Sequence, residues 1–406
     1  MARYGLLGEK LGHSFSPQIH ALLHGQEYKL YEVERAALPG FLSDCTLDAM
    51  NVTIPYKKDV LPHCAWVSEA VKRIGSANTL VRKADGWHAY NTDYMGFRYL
   101  VESAGYDPAG KKAVILGSGG AMLSVRCALE DMGASPIVVI SRSGEDNYDN
   151  LHLHADAKLL VNTTPLGMYP KVGVSAVELD SFPACEAVFD VVYNPSRTKL
   201  ILDAEERGLI CRSGLSMLVA QAHRAAELFA DTSIARERIE EILRILEAQT
   251  KNIVLVGMPG CGKSSVGRAL ADMTGREFVD ADEALSKRFG MSAEDMINLH
   301  GEEYFRQRET EVLAELGKAS SLIIATGGGC VTREENYRLL HQNGNIFWLR
   351  RELSLLPTEG RPLSQRGRLE EMYEKRAPLY RRFADHIIDN RYSVEHSAET
   401  ILEALK

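Results

Sequence analysis

Along nearly the whole chain, short apolar runs alternate with stretches whose apolar residues recur every three or four positions. Near the start, Tyr4–Leu7 reads as a strand, Pro17–His24 as a helix and Tyr28–Val33 as a strand, which predicts an α/β layer. That pattern breaks near residue 100. It resumes with the strand Lys112-Ala-Val-Ile-Leu116, which runs through Gly117-Ser-Gly-Gly-Ala121 into a helical pattern ending at Met132 and then a strand at Ile137-Val-Val-Ile140. Strands at Leu159–Val161 and Ala187–Val192 follow, then a helix from about Leu215 to Phe229. From Ala235 to about Ala248, Ile239, Ile242, Leu243 and Leu246 share one helical face, with charges on the other. Only Gln249-Thr250 separates this helix from a third alternating stretch. Its apolar runs end at Val256, Asp280, Ala325 and Leu349.

The expected architecture is therefore α/β in three segments, 1–100, 101–249 and 250–406, because a chain of 406 residues exceeds one ordinary core. An apolar content of 45% and a charged content of 25% add only that the protein is of ordinary globular type. A net charge of −8 without a basic cluster argues against nucleic acid as a partner. The seven cysteines are scattered, without a C-x-x-C pair, and read as reduced thiols of a cytoplasmic protein. The first ten residues carry charges where a signal peptide needs an apolar core, and no run of 18 apolar residues occurs, so no membrane span is expected.

Chemistry enters most sharply where the third stretch opens. Gly257-Met-Pro-Gly-Cys-Gly262-Lys263-Ser264 has the G-x-x-x-x-G-K-S spacing of a phosphate loop. Glycines let several backbone N–H groups converge on one phosphate chain at a helix N-terminus. Gly257, Gly260, Cys261, Gly262 and Ser265 would form the cradle, Lys263 would reach the β- and γ-phosphates, and Ser264 would place its hydroxyl on Mg²⁺. In the second stretch Gly117, Ser118, Gly119, Gly120 and Ala121 form a weaker dinucleotide fingerprint, for which a plain tight turn is the alternative. After Ile140 come Ser141, Arg142 and Ser143, where an Arg with hydroxyls suits the 2′-phosphate of NADP.

The first half also holds polar clusters at expected strand ends: His13-Ser14-Phe15-Ser16-Pro17, Asn51-Val-Thr53-Ile-Pro-Tyr-Lys57, Asn78-Thr79 and Asn91-Thr92-Asp93, with Gln221 on a later helix. Singly, each reads as turn chemistry or a helix cap. Together, and in order with Asn162-Thr-Thr-Pro-Leu-Gly-Met168 and Tyr193-Asn-Pro195, they resemble the shikimate dehydrogenase family over about residues 3–245. The resemblance implies an α/β substrate domain, a Rossmann-like NADP domain and helices that pack back on the first domain. It further implies NADPH-dependent reduction of 3-dehydroshikimate to shikimate, with Lys57 and Asp93 as the acid/base pair. Ser14 and Ser16 would hold the substrate carboxylate, and Thr53, Asn78, Asn91, Asp93, Tyr193 and Gln221 the ring hydroxyls. The chain departs from the family between Ser143 and Lys158, where hardly more than a loop fits, and no second Arg follows closely after Arg142.

The second half carries Asp280-Ala-Asp282, which as residues i and i+2 of a strand end would share one face. It also has Phe305-Arg306-Gln-Arg-Glu309, Gly327-Gly328-Gly329, Arg361-Pro-Leu363 and Arg376-Ala-Pro-Leu-Tyr-Arg381. Plain alternatives are a helical Arg306–Glu309 pair and a glycine turn. The ordered set resembles the shikimate kinase family over about residues 252–395, which implies a parallel-sheet phosphate-loop domain like those of nucleoside-monophosphate kinases. By that resemblance Asp280 helps Ser264 hold Mg²⁺, Asp282 binds the attacking hydroxyl and takes its proton, and Arg306 and Arg376 clamp the substrate carboxylate. Gly327, Gly328 and Gly329 would let the ring approach the backbone, Arg361 would lie in a lid over ATP, and Arg391 near the adenine. The stretch from Arg350 to Gly360 is shorter than the family's usual lid, so ATP turnover without shikimate is expected.

The combined expectation is a bifunctional enzyme of aromatic amino-acid biosynthesis using NADP(H), ATP and Mg²⁺. Its partners would be small-molecule substrates, with a homodimer as the candidate assembly and neither nucleic acid nor membrane. The alternatives are a catalytically inactive ligand-sensing regulator built from the same domains, a first half that uses quinate and NAD, and a second half acting on a nucleoside monophosphate. The first predicts loss of Lys57, Asp93, Lys263, Ser264 or Asp282, all of which are present.

Overall fold

The computed structural model describes residues 3–12, 14–356 and 366–405. These fall into two compact units, Met1–Tyr193 with Thr198–Leu243, and Asn194–Arg197 with Arg244–Lys406.

The first unit opens with a six-stranded sheet of β1 (Tyr4–Gly8), β2 (Tyr28–Glu32), β3 (Ala49–Val52), β4 (Cys64–Val67), β5 (Thr79–Lys83) and β6 (Gly86–Tyr90), in the order β2-β1-β3-β5-β6-β4. Its helices are α1 (Ser16–His24), α2 (Leu38–Asp44), α3 (Glu69–Ile74) and α4 (Asp93–Ser103). The sheet is mixed: β1 and β2, the strands of the strand–helix–strand reading, pair in parallel, whereas β5 runs antiparallel to both β3 and β6. Only Ala84 and Asp85 join β5 to β6, and so short a link can reverse a chain but not cross it over.

A second sheet follows, entirely parallel, with β7 (Ala113–Leu116), β8 (Ile137–Ile140), β9 (Leu159–Asn162), β10 (Ala187–Asp190) and β11 (Ile210–Ser213) in the order β11-β10-β9-β7-β8. Strand β7 shows why these residues make a central strand. Ala113 and Ile115 enter one core while Val114 and Leu116 enter the core on the opposite face. Helix α5 (Gly120–Asp131) follows β7, α6 (Lys199–Glu206) precedes β11, and α7 (Leu215–Ala230) leads to α8 (Glu237–Thr250). Through Ala225 and Phe229, α7 returns to the first sheet, packing with Tyr4, Leu6, Tyr28 and Ala49. Between β8 and β9 the only regular element is one short 3₁₀ turn, Leu151–His154.

The second unit is a parallel sheet of β12 (Asn252–Val256), β13 (Phe278–Asp280), β14 (Ile323–Ala325), β15 (Gly344–Arg350) and β16 (His386–Asp389), ordered β13-β14-β12-β15-β16. Helices α9 (Lys263–Thr274), α10 (Ala281–Phe289), α11 (Ala293–His300), α12 (Glu302–Lys318), α13 (Glu335–His341), α14 (Arg366–Phe383) and α15 (Val394–Ala404) complete it. Leu285, Met296, Phe305 and Val312 of α10, α11 and α12 form a small core of their own beside the main one. In both parallel sheets the strand order reverses beside a central strand, β7 or β12, which opens a crevice at the strands' C-terminal ends. No helix among the described residues is long and apolar enough to cross a membrane.

Candidate active sites

In the first unit, Lys57 Nζ lies 2.6 Å from one carboxylate oxygen of Asp93. Asn78 Nδ2 donates to the other oxygen at 2.9 Å. The chain delivers these groups from different elements: Lys57 after β3, Asn78 just before β5, and Asp93 at the start of α4. Asn78 is itself held, since its Oδ1 accepts from the Thr92 N–H at 2.7 Å. Gln221, on α7, reaches the same cluster, its Oε1 lying 3.3 Å from Thr92 Oγ1. The pair is therefore fixed on both sides, and both side chains stay partly open, with relative exposures of 25% and 15%.

Asn91 is committed elsewhere. Its Nδ2 donates to the Ser76 carbonyl at 3.0 Å, and its Oδ1 accepts from the Tyr94 N–H and the Ser124 hydroxyl, both at 3.3 Å. Thr53 follows β3, its backbone N–H bonded to Leu7. Tyr193 packs its ring against Phe15 with 5.9 Å between centroids, and burial pushes its phenol up. Ser14 and Ser16 meet at the start of α1, where Ser14 Oγ accepts from the Ser16 N–H at 3.2 Å. Beneath them lies a polar network that sequence reasoning missed. His20 Nε2 and the Tyr28 hydroxyl both reach Asn51 Oδ1, at 3.0 and 2.8 Å, and Asn51 Nδ2 turns to Thr79 and the Asn78 carbonyl. Burial, reinforced by His24, pushes the His20 imidazole down to about 3, so it is neutral and donates from Nε2. The i, i+4 placement of His20 and His24 on an apolar helix was the available signal.

A cleft of about 690 Å³ forms where β7 ends. Gly117 sits at φ +100°, and a Cβ there would lie 2.8 Å from Thr164 Cγ2, so both the turn and the close approach require glycine. Ser118, Gly119, Ser141 and Arg142 also line the cleft. Gly119 caps α5, Gly120 and Ala121 form its first turn, and Ser143 is exposed and not among the lining residues. A tight glycine turn that leads into the head of α5 fits a pyrophosphate. Three more lining residues, Thr163, Thr164 and Pro165, follow β9. Asn162 Oδ1 accepts from the Thr164 N–H and hydroxyl at 3.0 and 2.7 Å, and Asn162 in turn donates to buried Asp190 at 2.9 Å. Burial pushes the Asp190 carboxyl up to about 6 against hydrogen bonds from Thr198, Val192 and Asn162.

In the second unit, Gly257, Gly260 and Gly262 have φ of +147°, +80° and +100°, values that few other residues tolerate. Gly260, Gly262, Lys263, Ser264, Ser265, Asp280 and Asp282 line a cleft of about 530 Å³, together with Thr326 and Gly328. Lys263 is 9% exposed and donates to the carbonyls of Gly257 and Met258 at 2.9 and 3.1 Å. Ser264 Oγ donates to Asp280 Oδ2 at 2.7 Å, an all-oxygen set suited to Mg²⁺. Cys261 is buried, and its carbonyl accepts from Asn390 Nδ2. Asn390, just after β16, thereby braces the loop, and nothing in its neighbouring residues marks that role.

One expectation needs correction. Asp280 and Asp282 do not share a strand face, because β13 ends at Asp280, whose side chain caps α10 by accepting from the Asp282 N–H at 3.0 Å. A carboxylate at a strand end is a good N-cap, and this turns Asp282 onto the helix while both acids stay in the cleft. Protein atoms surround Asp282 although it opens onto the cleft. Burial, then Asp280, pushes its carboxyl up, and Lys263 and Arg306 pull it down. The triple glycine is also crowded by side chains of this protein, and Gly328 lines the cleft. A Cβ at Gly329 would lie 2.2 Å from Arg306 Nη2, at Gly328 2.7 Å from Pro259, and at Gly327 2.5 Å from Glu309 Oε1.

Arg306 and Glu309 do form the helical pair, at 2.7 Å, with Glu309 buried. Arg376, on α14, donates to the Gly328 carbonyl at 3.2 Å, which brings it to the same wall as Arg306. Arg391 lies apart, in a smaller cleft with Arg350, Glu352 and Tyr373, and pairs with Asp389 at 2.7 Å. Arg361 lies outside the described residues.

These two clefts, one at the head of a doubly wound dinucleotide unit and one at a phosphate loop, define an enzyme with two nucleotide-using halves. The chain is 33% identical over 270 residues to the shikimate dehydrogenase (NADP(+)) of Clostridium beijerinckii, covering 100% of that protein and 62% of this chain. A chorismate mutase/shikimate 5-dehydrogenase fusion protein from Clostridium acetobutylicum is 35% identical with a TM-score of 0.58, covering 97% of that chain and 61% of this one. The Thermus thermophilus shikimate 5-dehydrogenase, solved with NADP(H) and shikimate, is 31% identical with a TM-score of 0.55, over 99% of that chain and 60% of this one. The chain belongs to the shikimate dehydrogenase family, whose substrate-binding domain model matches residues 6–80. Residues 259–406 match the shikimate kinase family model.

Proposed function

We propose that the protein is a bifunctional enzyme that reduces 3-dehydroshikimate to shikimate with NADPH and then phosphorylates shikimate on its 3-hydroxyl with ATP and Mg²⁺. The observation that carries this reading is that each half retains its proton-handling group in a fixed setting. Lys57 is held by Asp93 in one, and Asp282 lies beside Lys263 and Ser264 in the other. NADPH supplies a hydride when bound, and ATP with Mg²⁺ the phosphoryl group.

As the ketone carbon is reduced, its oxygen gains negative charge, and the Lys57 ammonium donates the proton that neutralises it. Asp93 holds that ammonium in place while Asn78 keeps Asp93 from turning away. Ser14 and Ser16 receive the carboxylate, and Thr53, Asn78, Tyr193 and Gln221 the ring hydroxyls. Ser141 and Arg142 take the 2′-phosphate. In the second half, Asp282 accepts the proton of the attacking hydroxyl, and the burial that raises its affinity for protons improves it as a base. Arg306 and Arg376 hold the carboxylate with planar donor forks, Lys263 turns from its own loop's carbonyls to the phosphates, and Ser264 with Asp280 holds the metal. The segments 1–100, 101–249 and 250–406 are the corresponding domains. That all seven cysteines are free supports a reducing, cytoplasmic setting.

The test is to incubate the protein with 3-dehydroshikimate, NADPH, Mg²⁺ and ATP and to identify products by mass. Shikimate 3-phosphate is expected from the intact chain, and shikimate alone from Lys263→Ala. Absence of phosphorylated product when shikimate itself is supplied would refute the kinase half.

A further inference from the structure

The cofactor cleft has a wall that the dinucleotide fingerprint does not predict. Besides Ser141 and Arg142, the segment after β8 contributes Tyr148 to the lining, which also includes Ser175 and Ala176. This segment carries no second basic residue close after Arg142, although the 2′-phosphate that distinguishes NADP from NAD bears about two negative charges.

The short link from β8 to β9 fixes Tyr148 in place. The Ser141 N–H donates to the Asp146 carbonyl at 3.2 Å, and the Asp146 carboxylate meets His154 Nε2 at 2.8 Å. The Asn147 N–H donates to Asn150 Oδ1 at 2.8 Å, which closes a turn directly around Tyr148. The ring packs against the apolar cluster that includes Ile140, Leu160 and Val177. Burial pushes its phenol up while the Arg142 guanidinium draws it down, so hydroxyl and cation act on one another. Among the described residues the hydroxyl has no hydrogen-bond partner in the protein.

We propose that Tyr148 is a specificity-determining residue: its hydroxyl donates a hydrogen bond to the adenosine 2′-phosphate beside Arg142, doing with a neutral donor what a second cation would otherwise do. The proposal rests on the reading of this cleft as the NADP(H) site. A neutral donor also explains how one Arg suffices, because a hydrogen bond to a charged phosphate is among the stronger ones available at a half-buried site.

Steady-state kinetics of the full chain with NADPH and with NADH, on Tyr148→Phe, Tyr148→Ala and Arg142→Ala, test it. Inhibition by 2′-AMP and by 5′-AMP is measured alongside. Tyr148→Phe keeps the ring and its packing, so it should raise the KM for NADPH and the inhibition constant of 2′-AMP by about tenfold. The NADH and 5′-AMP values should move less than twofold. If Tyr148→Phe leaves the NADPH values in place, or shifts NADPH and NADH alike, the proposal is wrong. If Arg142→Ala also fails to change the ratio of NADPH to NADH, the NADP reading of the cleft falls with it. A change on Arg142→Ala alone overturns only the role of Tyr148.

Discussion

In both units the central strand of a parallel sheet, β7 in one and β12 in the other, runs into a glycine of positive φ and then into a helix. Gly117 has φ +100° and Gly257 φ +147°. Up to that point the two clefts are the same solution to one problem, bringing backbone N–H groups to a phosphate. They then diverge in charge. The loop after β7 carries no charged residue between Gly117 and Ala121, and its neighbour Arg142 lies at the next strand end. The loop after β12 encloses a nearly buried Lys263 and places Ser264 against Asp280. A dinucleotide has only to be held while its far end reacts, so a shaped cradle suffices. A triphosphate is broken at the cradle itself, where charge must be neutralised as it develops.

The sharpest way to break that comparison is Lys263→Ala. Phosphoryl transfer should fall by about 10⁴-fold, with dehydrogenase turnover unaltered in the same sample. A fall of less than tenfold would mean that the cradle works by shape in both halves. Lys57→Ala should lower the kcat of reduction by about 10³-fold, the range of a lost general acid, while phosphorylation of added shikimate continues. Loss of NADPH binding instead, seen by cofactor fluorescence, would make Lys57 part of the cradle and not a proton donor.

Asp190 tests whether shape in the first cleft depends on a buried charge. Its folded-state pKa of about 6 lies above the ordinary 3.8, so its contribution to stability is present at low pH and lost as pH rises through about 4 to 6. Asp190→Asn should remove that slope, on the order of 3 kcal/mol, read by hydrogen exchange of the β9 and β10 amides. An unchanged slope would assign the pH dependence elsewhere. The smallest effect is cofactor choice. Intact enzyme should favour NADPH over NADH in kcat/KM, and Arg142→Ala should shrink the ratio about tenfold. Comparable kcat/KM for the two cofactors in intact enzyme would sink the assignment.

Much of this was legible in the chain. Strands such as Ile137–Ile140 and Asn252–Val256 have strong apolar patterns, the second with a clear glycine stop, and the structure places them where the pattern does. The Arg306–Glu309 pair followed from i, i+3 spacing. The direction of β5 was not legible, because apolar alternation is the same in parallel and antiparallel strands and only the two-residue link decides it. Nor was the helical position of Asp282, since an acid at a strand end can continue the strand or cap a helix with the same sequence. The His20–Tyr28–Asn51 network was hidden because its members are ordinary core or cap residues until they meet.

By itself, the sequence determined the order of strands and helices and the places where only glycine fits. It also set the stock of chemical groups at each strand end. These depend on backbone conformation and side-chain period, which are local properties. The tertiary structure alone decided which of those groups share a partner. Asn390 braces Cys261 across 129 positions, Gln221 reaches Thr92 across 129, and the triple glycine yields to Arg306, Pro259 and Glu309. Such contacts are selected by packing over the whole core, where a buried polar atom must find whichever partner the fold brings within 3 Å or so.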